Sequence, residues 1–296
     1  MNTFLSEIGK QLAQRWAVLL ALPGLMYITV GLAAHTLGKD HPFDLVLLGT
    51  QISSWAANPA LHSFGTGVLI ALVMLVGSIG TGLAAALLGW ISQLFWALPG
   101  HRPPASWIAN WRRTRSRAAK RAADEARTPE LARLAIARAD RICPIEADRP
   151  SWIGDRLRAC RVRVEHSYGL DLDTVWPRIW LLLPDSARSE VTSARDKLTG
   201  SARLGGWAVL YLALTWWWWP ALIIGLITSM AAAVRARQAT LVYVQLVEAV
   251  VDLYGHELAA KIGLTAESGA ITAELGTKIT ALLKKSRWDP ESSLAD

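Results

Sequence analysis

The 296-residue chain carries a formal charge of +7, is 52% hydrophobic and only 19% charged, below the roughly 25% of an ordinary soluble domain. Its apolar excess is gathered into three stretches without a formal charge, residues 16–36, 63–100 and 204–234. Each is long enough for the ~20 residues that cross a hydrocarbon core of about 30 Å. That argues against a soluble protein, whose core helices run shorter and keep a polar stripe.

Residues 1–15 set Phe4, Leu5, Ile8 and Leu12 at helical spacing, the pattern of an amphipathic helix lying at a membrane interface. The run from Trp16 exceeds the roughly 7–15 apolar residues of a signal-peptide core. It therefore reads as a retained first span, bent at Pro23 and Gly24. Lys10 and Arg15 ahead of it place the N-terminus in the cytoplasm. Residues 37–62 then fall outside, with apolar patches set to touch the membrane surface.

The stretch 63–100 would reach about 57 Å as one helix at 1.5 Å per residue, more than a bilayer needs. Trp90 and Trp96 mark the inner interface, because Trp favours the headgroup level. The second span accordingly covers residues 68–90. Small residues recur along it every fourth position, Ser78, Gly82 and Ala86 in one row and Thr81, Ala85 and Gly89 in another. Such rows let helix backbones approach closely in lipid, within the chain or between two copies.

The charge is localised. Residues 101–204 hold 21 Lys or Arg against 13 Asp or Glu, a balance of +8, and the remainder holds 10 against 11. A basic segment beside apolar spans is the signature of a cytoplasmic loop, which explains the charge without nucleic acid. Arg112, Arg113, Arg115 and Arg117 form a cluster suited to anionic lipid head groups. The segment 101–203 reads as helical throughout. Thr128-Pro129 is a helix start; Ser151 caps a helix that ends at Gly169. The next helix starts near Asp173 and ends at Pro184, with Trp176 and Trp180 on one face and Arg178 pointing away. Asp185 or Ser186 opens the helix that enters the membrane.

The third stretch reads best as a hairpin turning at Trp219-Pro220. A single span would bury Trp216, Trp217, Trp218 and Trp219 near the bilayer centre and leave Arg235 and Arg237 outside, both contrary to preference. Each arm then has only about 15 uncharged residues, so Arg203 and Arg235 must snorkel or the bilayer must thin. In the tail, 238–296, Leu241, Val244, Val247 and Val251 recur at helical spacing. A second helix over 267–285 carries Ile271, Leu275, Ile279 and Leu282.

Chemistry is sparse. No phosphate-binding Gly-rich loop, nucleophile elbow or metalloprotease helix occurs, and no ionisable side chain of the kind that relays protons lies within a span. Cys143 and Cys160 match no redox or zinc spacing. His35, Asp40, His41 and His62 are near one another in the outer loop, where a metal site or a lipid-directed catalytic group would have to be built. No cofactor is implied.

The layout and the stretch YGLDLDTVWPRIWLLLPDSARSEVTSARD resemble multipass membrane proteins of high-GC, actinobacterial bacteria. The resemblance covers about the second half of the chain and implies no activity.

The sequence thus describes an all-α integral membrane protein of the inner membrane with four spans and both termini cytoplasmic. Residues 1–100 hold the interfacial helix and two spans, 204–237 the hairpin, and 101–203 with 238–296 a helical cytosolic domain. The expected role is non-enzymatic: a self-associating pore or a membrane-anchored assembly module, with the bilayer, a second copy and a soluble cytosolic protein as partners. The alternative is a membrane enzyme with its site in 35–62.

Overall fold

A computed structural model describes residues 22–59, 63–100, 105–125, 148–264 and 272–284, with scattered positions between 128 and 134. The N-terminal amphipathic segment, His62, His101, Pro129 and Cys143 lie outside the described residues. Among the described residues the chain is all-helical, without strands. The helices are α1 (Leu22–Leu37), α2 (Leu45–Ala56), α3 (Phe64–Ala97), α4 (Ala105–Asp124), α5 (Trp152–Tyr168), α6 (Leu172–Leu182), α7 (Asp185–Leu214), α8 (Ala221–Lys261) and α9 (Ala273–Lys284).

Two of them, α3 and α8, are long and apolar enough to cross a membrane, and only 17% and 22% of their most apolar stretches are buried. A core helix of a soluble protein would be mostly covered. The 34 residues of α3 form one unbroken helix. The 41 residues of α8 fuse what the sequence divides into a hairpin arm and a separate tail helix. Hydropathy changes at Arg235, but no Gly or Pro interrupts the helix there, so the backbone continues.

Chain stops follow local chemistry. Asp44 accepts from the amides of Val46 and Leu47 and so caps α2, a helix absent from the sequence reading. Ser151 accepts from Gly154 N to cap α5, and Gly169, at φ 66°, closes it in the left-handed conformation. Between α7 and α8 the amides of Trp217 and Trp218 bond back to the Leu214 carbonyl, and Ile223 bonds to Pro220. Trp219, held before a proline, is disfavoured from the helical region. The result is a turn between two helices that pack side by side, since a Cβ at Gly225 would meet Leu212 Cδ2 at 2.7 Å.

The chain divides into two compact units, one drawn from Met1–Gln93 with Thr199–Arg235 and the other from Leu94–Leu198 with Ala236–Asp296. The first has helices separated by small residues. Gly24 lies against Ser78, Gly206 against Ala85, and a Cβ at Gly89 would come within 2.8 Å of Arg203 Cα. The rows expected to pack within the chain or between two copies lie against other helices of the chain: Ser78, Gly82, Ala85 and Gly89 are buried, while Thr81 and Ala86 are half-buried. Thr81 spends its hydroxyl on the Ser78 carbonyl at 3.0 Å. The other face of α3 leaves Leu72, Val73 and Val76 56–61% exposed.

The second unit has an ordinary hydrophobic core of Val164, Leu170, Val175, Ile179, Val191, Val247, Val251 and Ile279, with Trp176 and Trp180 packed against it. Ion pairs tie its helices: Arg163 with Glu248 at 2.5 Å, Arg161 with Asp173 at 3.0 Å and Lys284 with Asp171 at 2.8 Å. Arg178, expected to point away, donates to Thr174 O and to Leu283 O, because the last carbonyls of α9 need donors.

Candidate functional site

Three places bring polar chemistry together. The first is a polar hub in the second unit. Asp155 is 4% exposed because it sits in the first turn of α5, where the backbone favours a carboxylate. Its Oδ1 accepts from the amides of Asp148 (3.1 Å) and Arg149 (2.8 Å). Its Oδ2 pairs with Arg112 at 2.6 Å, and Arg112 also donates to the Arg149 carbonyl at 2.7 Å. Arg113 meets Asp148 at 2.8 Å. Arg149 donates to Ala97 O, and its pKa is lowered by burial and by Arg161 nearby. The hub therefore fastens residues 148–151 to the end of α3 and the start of α4.

Within the basic cluster read as lipid contacts, Arg112 and Arg113 meet Asp155 and Asp148, and a buried Asp155 requires a cation. Arg115 and Arg117 are exposed, with Arg115 over the Trp111 ring. Trp107 and Trp111 are 75% and 61% exposed and stand one turn apart on α4.

The second place is in the first unit, where the segment between α1 and α2 meets the turn between α7 and α8. Trp218 Nε1 donates to Pro42 O at 2.9 Å, Phe43 packs edge-on to Trp219 at 5.5 Å, and Lys39 Nζ lies 5.3 Å above the Trp216 ring. Trp216, Trp217 and Trp219 remain exposed, as does Trp90, while Trp96 is half-buried beside the start of α5. No group of three His, Cys, Asp or Glu with metal-binding geometry occurs among the described residues. Asp44 spends its carboxylate on the α2 cap.

The third place was not foreseen. A cleft of about 460 Å³ opens between α1, α7 and α8, lined by Pro23, Met26, Gly200, Arg203, Leu204, Trp207, Tyr211, Thr228 and Arg235. Tyr27 stacks edge-on to Tyr211 at 5.3 Å and donates to Leu210 O at 3.3 Å, which fixes one wall. The contact of Gly225 with Leu212 sets the antiparallel register; carried down the pair, it brings Arg203 level with Val234 and Arg235. Both arginines line the cleft, together with Trp207 and Tyr211. In the sequence these arginines are separated by the whole hairpin, and only the turn at 215–220 hints that they meet.

Cys160 is buried under the core, and that burial pushes its thiol up to about 12, so it is no nucleophile at neutral pH. Tyr168 is raised by its hydrogen bond to Asp252. Asp171 is held below the usual carboxylate value, first by Lys284.

No family model, curated protein or solved structure matches this chain.

Proposed function

We propose that the chain is an integral membrane protein of four spans, both termini cytoplasmic, that works as a non-enzymatic, membrane-anchored assembly module. The spans are drawn from α1, α3, the upper part of α7 and the first part of α8. The observation that carries this is a contrast between the two units. One leaves its largest aliphatic side chains in the open, among them Val73, Leu83 and Leu87 on α3 and Leu226, Ile227 and Met230 on α8; the other, although Leu181, Leu253 and Leu282 are exposed, gathers a packed aliphatic core. Exposed apolar surface on that scale needs a covering, and lipid covers helices of this length.

Surface features agree with that placement. The Trp-rich turn suits the outer headgroup layer, as does α2, which is apolar, 12 residues long and has no buried residue. On the inner side, Trp107, Trp111 and Arg115 make the outward face of α4 a foot for the headgroup layer. The core-bearing unit, with its net basic segment, is then a cytosolic platform for a soluble partner. Self-association remains part of the proposal, through exposed faces rather than the filled small-residue rows.

Alkaline extraction of membranes tests the anchoring: the chain stays with the lipid pellet. Reconstitution in liposomes tests the role. A module gives no ion flux, whereas flux blocked by bulky residues at Gly82 or Ala86 would replace the module with a pore.

A further inference from the structure

Resting on the membrane reading above, we propose that the cleft between α1, α7 and α8 binds one anionic phospholipid of the cytoplasmic leaflet. Its phosphate lies between Arg203 and Arg235, and an acyl chain runs along Met26, Leu204 and Trp207.

The charge argument comes first. Arg112, Arg113, Arg161, Arg163 and Arg188 each meet an Asp or Glu. Arg203 and Arg235 meet none among the described residues, and no carboxylate lines the cleft. Both nonetheless line a cavity whose other walls are mostly apolar and aromatic. A guanidinium is the group that recognises a phosphate through two parallel hydrogen bonds.

Depth adds a second argument. α7 ends at Leu214, 11 residues after Arg203, so about 16 Å of helix separates the arginine from the turn. With the turn at the outer surface, the Arg203 backbone stops short of the inner edge of a hydrocarbon layer of about 30 Å, and its side chain has to reach toward the cytoplasmic head groups. Charges at that depth persist where they are paired or reach a polar group. A lipid phosphate drawn up into the cleft supplies the anion, and its chain supplies apolar contact for Met26 and Leu204. A free phosphate would satisfy the arginines but leave the 460 Å³ cleft largely unfilled.

The test uses the full chain recovered from the membrane fraction, delipidated in a zwitterionic detergent and titrated in mixed micelles, with thermal stability and native mass spectrometry as readouts. Phosphatidylglycerol is expected to bind at one molecule per chain and raise the unfolding temperature, while phosphatidylcholine and inorganic phosphate do neither. The Arg203→Gln, Arg235→Gln variant should bind about 30-fold more weakly, the product of two roughly fivefold losses. The Arg203→Lys, Arg235→Lys variant keeps both charges but loses the guanidinium forks, so it should bind more tightly than the Gln variant and more weakly than the unaltered chain, and its unfolding temperature without lipid shows that the cleft still folds. Equal response to phosphatidylcholine, or no weakening in the Gln variant, overturns the site. Protection by inorganic phosphate alone makes it a phosphate site and overturns the lipid. Recovery of the chain in the soluble fraction overturns the membrane reading instead.

Discussion

Replacing Asp155 by Ala removes the carboxylate on which residues 148–151, α4 and α5 converge. Three interactions go at once: the pair with Arg112, whose side chain is 11% exposed, and the bonds from the Asp148 and Arg149 amides. Removing one partner of a buried ion pair costs about 3–5 kcal/mol, and a buried amide that loses its acceptor adds about 1–3 kcal/mol unless water reaches it. Residues 148 and 149 are half-buried, so water takes up part of the second loss, and a total of about 4–6 kcal/mol is expected. For a unit of this size that is a fall of roughly 8–24 °C in unfolding temperature. Asp155→Asn keeps an acceptor for the two amides and should lose about half as much. Thermal unfolding of the detergent-solubilised full chain, followed by tryptophan fluorescence, reads both. A fall under roughly 2 °C for Asp155→Ala would refute the reasoning, as would identical losses for Ala and Asn.

Further outcomes follow from packing and from the shifted groups. Gly206→Leu and Gly24→Leu must push α7 from α3 and α1 from α3, because even a Cβ there overlaps Ala85 O or Ser78 O; both should lower recovery from membranes. Gly80→Ala, with nothing within 4 Å of its Cβ, should be neutral or stabilising by up to about 1 kcal/mol. In a Cys143→Ser background, Cys160 should resist thiol reagents at pH 8 until the protein unfolds; prompt labelling of the folded chain would contradict its burial. Because that thiol's pKa is raised on folding, the folded state holds the proton longer. Its share of stability is full below the ordinary cysteine value and is lost as pH climbs toward about 12. Asp171 and Lys284 give the opposite flanks. Asp171 is depressed, so its contribution is present above the ordinary aspartate value and disappears as pH falls through the folded one. Lys284 is raised, so its contribution is present below the ordinary lysine value and is lost as pH rises through the folded one. Amide exchange in Ala273–Lys284 should therefore quicken at both extremes and stay slow between them.

What could be read in the sequence was local. Ser151, Gly169 and Pro184 announce helix ends through capping, left-handed backbone and ring chemistry, and the structure uses each of them. The all-helical class follows from the same periodicities, and the break at Trp219-Pro220 from the interfacial preference of the four tryptophans and the arginines that flank the apolar stretch. Partner choice was not local. Arg112 stands 43 residues before Asp155, and nothing in the run of arginines singles it out as the one to be buried. Arg203 and Arg235 look like two snorkelling ends until the register of α7 and α8 sets them beside one cleft. The α2 cap at Asp44 was available to inspection, but its helix was hidden in a loop that composition alone describes as apolar patches.

The four-span topology is tested most directly by labelling single cysteines in intact cells, introduced one at a time as His101→Cys, Trp219→Cys and Pro290→Cys in a Cys143→Ser, Cys160→Ala background. A membrane-impermeant reagent should label position 219 from outside and reach 101 and 290 only after permeabilisation. Labelling of position 290 from outside would mean that α7 and α8 do not form a membrane hairpin, and would remove the cytosolic platform and the lipid cleft together.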